Sequence, residues 1–161
     1  THARDKDAVV ASMMFAEMVC YFDSVGKRVY DVLQDIYKQF GYYVEKARSI
    51  TFGGLDGMQK MADIMAQIRS TRFEEIDGTK VLAQSDFVTR KKTYADGKVE
   101  DITLPKTNAF KLHLENGDWI CVRPSGTEPK LKFYVATSKP TESAATAKAE
   151  AYLAYMENSV K

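Results

Sequence analysis

The first quarter of the chain has the apolar spacing of two helices. Residues 8–22 are apolar on most sides, so we expect a buried helix, with Asp5 or Asp7 as its N-cap. Such a surface predicts that residues 8–22 fold back on the rest of the chain or pair with a second copy. A second helix, ended by Gly41, is predicted by one apolar face made of Val29, Leu33, Ile36, Tyr37 and Phe40.

Two further helices are predicted later in the chain. Thr141, after Pro140, is expected to cap the last one. Its inward face is predicted to contain Ala145, Ala149, Tyr152, Leu153 and Met156. The segment from Gly57 to Arg69 carries an apolar stripe, typical of a packed core, made of Met58, Met61, Ile64, Met65 and Ile68.

From residue 73 the apolar positions alternate with a period of two, which indicates strands. A hairpin is predicted from residues 109–114 and 118–122. Beyond residue 130, Lys130, Lys132 and Tyr134 should lie on the face opposite the apolar residues Leu131, Phe133 and Val135. Shorter strands are predicted around Val81-Leu82, Phe87-Val88-Thr89, Tyr94 and Ile102.

This order of elements predicts the α+β class, with helices packed on one face of an antiparallel sheet. Residues 42–52 have the pattern of a strand or an extended linker, and the domain boundary is placed near residues 41–50. We therefore predict a helical segment, residues 1–41, followed by a domain of residues 42–161.

The composition narrows the possible functions. A net charge of +1 over 161 residues opposes a general polyanion binder, so no nucleic-acid partner is expected. Residues 8–22 are too short for a membrane span, so no membrane association is expected. Cys20 and Cys121 form neither a disulfide framework nor a zinc pattern. Two buried, reduced thiols are typical of a cytoplasmic protein.

The main candidate site is RPSGTEPKLK, residues 123–132, between two predicted strands. Arg123 offers a planar fork that matches two phosphate oxygens, and Ser125 and Thr127 add hydroxyl donors. Gly126 would let backbone N–H groups approach an anion closely. The alternative is a surface turn with an incidental arginine. Glu128 opposes anion binding unless its carboxylate points away or orients a lysine.

Other features give weaker site predictions. The stretch TFGGLDG, residues 51–57, precedes a helix but lacks the Gly-Lys-Ser/Thr ending of a nucleotide loop, which favours a simple turn and cap. His2 and His113 have no second ligand at metal spacing, so no metal site is expected. Lys6 could reach a phosphoryl group, or it could belong to an ordinary charged helix start.

Two segments resemble one enzyme family. RPSGTEPKLKFY, residues 123–134, resembles the signature near the C-terminus of the α-D-phosphohexomutases, the phosphoglucomutase/phosphomannomutase family. HARDKDAVVASMMFAEM, residues 2–18, is similar to the segment after that family's sugar-recognition loop. The resemblance implies a C-terminal fragment of a four-domain enzyme. Residues 1–41 would be the tail of the third α/β domain. Residues 42–161 would be the fourth, a four-stranded antiparallel sheet with helices of the TATA-binding-protein-like fold.

The resemblance also implies an activity, the interconversion of hexose 1-phosphate and hexose 6-phosphate. A phosphoserine in the first domain would exchange its phosphoryl group with the sugar through a hexose 1,6-bisphosphate, assisted by Mg²⁺ held in the second domain. This chain contains neither the phosphoserine loop nor the aspartate loop that holds the metal, so we expect the fragment alone to be inactive. The preferred sugar does not follow from these residues.

The same resemblance assigns roles to six residues. Arg123, Ser125, Gly126 and Thr127 match the loop that grips the substrate phosphate, and Lys132 matches a basic position on the following strand. Lys6 matches a lysine that assists proton or charge handling during transfer. The implied partners are a sugar phosphate and the remaining domains of the polypeptide. The rival interpretation is a free-standing module that binds a phosphate ligand without catalysis.

Overall fold

The computed structural model describes residues 6–160 and divides the chain into two compact units, Thr1–Gly41 and Tyr42–Lys161. The first unit contains helices α1 (Ala8–Ser24) and α2 (Val29–Phe40). The Asp7 carboxylate caps α1 by accepting a hydrogen bond from the Val10 N–H at 2.9 Å. Asp5, the other predicted cap, lies outside the described residues. The assignment of the two units to a third and a fourth enzyme domain stays a prediction.

The burial predicted for α1 is not found. Neither α1 nor α2 has a buried residue, and Cys20, predicted to be buried, is exposed. Two helices by themselves offer no sheet on which an apolar helix can lie. Folding back or pairing with a second copy stays a prediction. Within residues 6–160 no single helix could cross a membrane. Among the described residues, only the pair of α1 and α2, which is bent by 88°, has the length and apolar composition that a membrane span requires.

The second unit is the predicted α+β arrangement of an antiparallel sheet with helices. Its helices are α3 (Gly57–Ser70) and α4 (Glu142–Asn158). Its strands are β1 (Tyr42–Thr51), β2 (Glu75–Ile76), β3 (Thr79–Asp86), β4 (Lys91–Tyr94), β5 (Val99–Asp101), β6 (Phe110–Leu114), β7 (Trp119–Pro124) and β8 (Lys130–Lys139). The strand order is β1-β8-β7-β6-β3-β4-β5, with β2 paired to β3.

The expected number of four strands is wrong, because the sheet has eight. The segment predicted as either a strand or an extended linker forms β1. It pairs with β8 along its whole length, from Tyr42 opposite Lys139 to Thr51 opposite Lys130. The β4–β5 ribbon adds two strands beyond β3 at the other edge. Phe87-Val88-Thr89, predicted as a strand, forms a turn instead, in which the Asp86 carboxylate accepts from the Val88 N–H at 2.9 Å.

One face of the sheet is covered by α3 and α4, whose buried side chains join those of the central strands in a single hydrophobic cluster. The predicted alternation in β8 is confirmed, since Leu131, Phe133 and Val135 are fully buried. Thr141 caps α4 as predicted, and all five predicted inward residues of that helix are buried. In α3 the predicted stripe is too wide, because Met58 is 47% exposed.

A buried carboxylate fixes the start of β7 to the end of β8 and to α4. The side chain of Asp118 is fully inaccessible. It accepts from the Ser138 N–H at 3.0 Å, the Lys139 Nζ at 2.8 Å and the Tyr152 hydroxyl at 2.9 Å. The Tyr152 oxygen also lies 2.9 Å from the Thr79 hydroxyl, which can donate to it. These bonds stabilise one end of the β7–β8 hairpin, whose register pairs the side chains at its other end.

Candidate functional site

The predicted anion loop joins β7 to β8 at the end of the hairpin away from Asp118. The Ser125 N–H donates to the Lys130 carbonyl at 2.8 Å and closes the loop. The Pro129 carbonyl accepts from the Phe52 N–H at 2.8 Å, which ties the loop to the end of β1. Ser125, Gly126 and Thr127 are thus carried by a short, anchored connection.

Arg123 and Lys132 lie directly opposite each other across β7 and β8. Opposed residues of an antiparallel pair project from the same face, with Cβ atoms about 4.5–5.5 Å apart. Within residues 6–160, no carboxylate oxygen forms an ion pair with either side chain. Two cationic side chains therefore project from neighbouring strands at the mouth of the loop, on the face that the helices leave uncovered, which we call the open face.

The acidic residue of the loop is neutralised locally. The Glu128 carboxylate lies 3.0 Å from the Lys130 ammonium. The hydrogen bond from Lys130 holds the pKa of Glu128 below its usual range. Glu128 therefore orients a lysine, which removes the objection that the sequence raised against an anion at this loop.

Among the described residues, none requires a glycine at position 126. A Cβ placed on Gly126 would have no atom within 4 Å, and the φ angle lies outside the left-handed region. Gly57 is different, because its Cβ would fall 2.4 Å from the Phe52 carbonyl oxygen and 3.0 Å from the Pro129 Cβ. The fold accounts for Gly57, whereas the space beside Gly126 is open.

The glycine-rich stretch before α3 is a turn that packs against the loop. Gly57 allows the close contact with Phe52 and Pro129 described above. Asp56 occupies the N-cap position without a side-chain capping bond, and its carboxylate pairs with Lys60 at 2.9 Å. The turn was predicted correctly, but the cap was not.

The open face also carries residues that the sequence analysis did not select. The register places Lys111 of β6 opposite Cys121 of β7, and Cys121 opposite Tyr134 of β8. The Lys111 ammonium lies 4.4 Å from the centroid of the Trp119 ring. Strand alternation already placed Lys132 and Tyr134 on one face. The pairing of three strands, which brings the other side chains beside them, was not available from the sequence.

His113 of β6 lies on the same face, and its Nε2 atom shares a hydrogen bond with the Ser85 hydroxyl at 2.9 Å. Burial, with smaller contributions from Lys111 and Lys92, lowers the pKa of His113 to about 4. The imidazole is therefore neutral at pH 7. In the described part of the chain no three His, Cys, Asp or Glu side chains are grouped as metal ligands. His2 lies outside the described residues.

Lys6 lies in the first unit, exposed, with a φ angle of 25° just before the Asp7 cap. The loop lies in the second unit. The role expected for Lys6 stays a prediction.

Comparisons with known proteins agree on one family. Residues 56–154 match the family described as phosphoglucomutase/phosphomannomutase, C-terminal domain. The phosphoglucomutase of Staphylococcus epidermidis is 42% identical over 136 residues, 84% of this chain and 25% of that protein. The phosphoglucomutase of Staphylococcus haemolyticus is 36% identical over 134 residues, 83% of this chain and 24% of that protein. The chain thus spans about a quarter of the length of these relatives.

A solved structure has the same fold. It is the open form of the exocytosis-sensitive phosphoprotein parafusin from Paramecium, described as a phosphoglucomutase. The TM-score is 0.58, the identity is 15%, and the match covers 98% of this chain and 28% of that one. At this identity the likeness bears on the fold alone.

Proposed function

Because this chain belongs to the phosphoglucomutase/phosphomannomutase family, through its C-terminal domain, we propose that it is the C-terminal part of a phosphohexomutase. In this proposal the complete enzyme is a cytoplasmic isomerase that interconverts hexose 1-phosphate and hexose 6-phosphate. A phosphoserine elsewhere in the polypeptide and a bisphosphorylated sugar intermediate carry the phosphoryl group. The proposed role of this chain is to hold the phosphate of the substrate that does not react.

The pairing of Arg123 with Lys132 supports this proposal most directly. Like charges directly opposed across two strands are destabilising. No carboxylate within residues 6–160 forms an ion pair with either of them. An anion between the two side chains replaces this repulsion with two attractions, and a phosphate brings the negative charge that both require.

Each residue of the loop then has a chemical role. The Arg123 guanidinium donates to two phosphate oxygens, and Lys132 acts as a point charge. The hydroxyls of Ser125 and Thr127 and the backbone at Gly126 donate to the remaining oxygens. Holding one phosphate fixes the position of the hydroxyl at the other end of the sugar, which contributes the entropic part of phosphoryl transfer.

The Mg²⁺ ion and the hexose 1,6-bisphosphate of the proposal depend on other parts of the polypeptide. Residues 6–160 offer no fitting group of metal ligands, so no step assigned to this chain uses the ion. Lys6 is proposed to assist charge handling during transfer. In the complete enzyme Lys6→Ala should lower kcat more than it raises KM, and an unchanged kcat removes Lys6 from the mechanism.

The test of the loop is a titration of this chain with inorganic phosphate, followed by backbone amide NMR. Residues 123–132 should shift, with a Kd on the order of millimolar, since only one wall of the site is present. Arg123→Ala should weaken binding roughly ten- to a hundredfold. Arg123→Lys should be almost as harmful, because an ammonium cannot reproduce the bidentate fork.

Two glycines provide a matched control. Gly126 and Gly53 both have room for a Cβ and φ angles outside the left-handed region, so neither Gly→Ala change should strain the fold. Only Gly126→Ala should weaken phosphate binding, because its methyl group enters the space taken by the anion. Shifts confined to another surface, or equal effects of the two substitutions on affinity, would make the assignment wrong.

A further inference from the structure

A cavity of about 330 Å³ opens on the open face beside the candidate phosphate site. Its volume is at the lower end of the range for small-molecule sites, about 300–1,000 Å³. The strand register gives the arrangement of the residues that line it. Cys121 lies at the centre, between Lys111 on β6 and Tyr134 on β8, and Trp119 and Arg123 flank it along β7. Arg123 thus belongs both to this cavity and to the predicted phosphate grip.

The cavity is positively charged and has no acidic lining residue. Besides Arg123 it contains the Lys111 ammonium, which rests over the Trp119 ring. No carboxylate of the described ranges forms an ion pair with Lys111. Lys111 is half-buried, and this burial lowers the pKa of its ammonium group. An anionic ligand would compensate both charges.

The remaining walls are aromatic. Trp119, Tyr134 and Phe87 line the cavity, and none of the three is fully exposed or fully buried. Aromatic side chains accept the flat face or the edge of another ring by offset stacking or edge contacts. The combination of cations with rings selects a ligand that has an anionic group and a planar apolar body.

We propose that this cavity binds aromatic phosphate monoesters, with the phosphate at Arg123 and the ring against Trp119 and Tyr134. Such compounds compete with a sugar phosphate for Arg123 and therefore inhibit the complete enzyme. This inference rests on the proposed function, since it uses the same phosphate site. It adds a subsite for an apolar group that the phosphate-gripping role does not need.

Trp119 makes the proposal directly testable, because it is the only tryptophan among the 161 residues and it lines the cavity. The experiment titrates this chain with phenyl phosphate and follows tryptophan emission. Inorganic phosphate and phenol serve as the two half-ligands. Phenyl phosphate should change the emission and bind about tenfold more tightly than inorganic phosphate, since its ring leaves water. Phenol should bind too weakly to be measured in the same range.

Two lysine variants locate the subsite. Lys111→Met keeps an unbranched side chain and removes the charge, so its affinity for phenyl phosphate should fall about fivefold. Lys91→Met is the matched control, because Lys91 is exposed and pairs with Asp101 at 2.6 Å on β4–β5. The control should bind phenyl phosphate like the unmodified chain. Thermal unfolding followed by circular dichroism checks that both variants are folded.

The outcomes separate this inference from the proposed function. The cavity proposal is overturned if phenyl phosphate binds no more tightly than inorganic phosphate, leaves the emission unchanged, or responds equally to Lys111→Met and Lys91→Met. Amide shifts at residues 123–132 with inorganic phosphate would still support the phosphate grip in those cases. If neither compound shifts residues 123–132, the phosphate grip fails and the cavity proposal fails with it.

Discussion

The two ends of the β7–β8 hairpin treat charge in opposite ways. At the end near α4, the carboxylate of Asp118 is inaccessible to solvent and accepts three hydrogen bonds. At the loop end, Arg123 is exposed and faces another cation, Lys132, without an ion pair to a described carboxylate. One end thus uses its charge to hold the fold, while the other leaves two cations without a carboxylate partner among the described residues.

The pKa values at the buried end reflect this use. Burial alone would raise the pKa of Asp118, but hydrogen bonds from Lys139, the Ser138 N–H and Tyr152 hold it below its usual range. Burial also raises the pKa of Tyr152 to about 12, so its hydroxyl stays protonated and can donate. Asp118 is therefore ionised at neutral pH and Tyr152 is protonated, as the hydrogen bond between them requires.

The largest expected effect comes from breaking the buried end. Asp118→Ala removes the acceptor of Lys139, Tyr152 and the Ser138 N–H together. Leaving such partners uncompensated typically costs about 3–5 kcal/mol of unfolding free energy. Urea denaturation measures the loss. Under conditions where the variant is folded, its phosphate affinity should be close to that of the unmodified chain.

Asp101→Ala is the control for that experiment. Asp101 also pairs with a lysine, Lys91, but its side chain is 80% exposed, so the pair is well solvated. The substitution should change the denaturation midpoint little. If Asp118→Ala were no more destabilising than Asp101→Ala, the buried carboxylate would not be what stabilises this end of the hairpin.

A smaller loss of unfolding free energy is expected on lowering the pH, because His113 on the open face has a lowered pKa. Its pKa is about 4 in the fold and about 6.5 when unfolded, so between these values the unfolded chain binds the extra proton. Stability should therefore fall as the pH is lowered from 6.5 toward 4. At pH 5 the expected loss is roughly 1–2 kcal/mol relative to pH 7.

His113→Gln is the comparison for this pH dependence, measured as urea denaturation at pH 7 and pH 5. The variant lacks the titrating ring, so it should lose less stability than the unmodified chain over the same interval. Equal losses in both proteins would show that the fold does not lower the pKa of His113.

The sequence predicted most elements of the second unit, because their local patterns agree with the fold. Thr141 before an apolar helix and the alternation of Leu131, Phe133 and Val135 needed no tertiary information. The strand number could not be predicted in the same way. The pairing of β1 with β8 joins residues far apart in the chain, and an extended segment has the same pattern whether or not it finds a partner.

The candidate site could likewise be predicted only in part from the sequence. Donor chemistry and the family resemblance selected Arg123, Ser125, Gly126, Thr127 and Lys132 from a single stretch. The opposition of Arg123 and Lys132 depends on the β7–β8 register, and the cavity depends on Lys111 from a third strand. The burial predicted for residues 8–22 was wrong for this structure, because an apolar pattern does not say what surface will cover it.

The smallest expected effect comes from relieving the exposed end. In phosphate-free buffer of low ionic strength, Lys132→Gln should raise the unfolding free energy by about 0.2–1 kcal/mol, because it removes a like-charge pair. Added sodium chloride should diminish the gain by screening. Saturating phosphate should stabilise the unmodified chain more than the variant, since a ligand stabilises the state it binds. Urea denaturation in the three buffers measures all of this. Lys91→Gln, which breaks an attractive pair, should show neither the gain nor the reduced response to phosphate. A Lys132→Gln variant that is less stable without phosphate would show that the two cations are not opposed in the way the strand register places them.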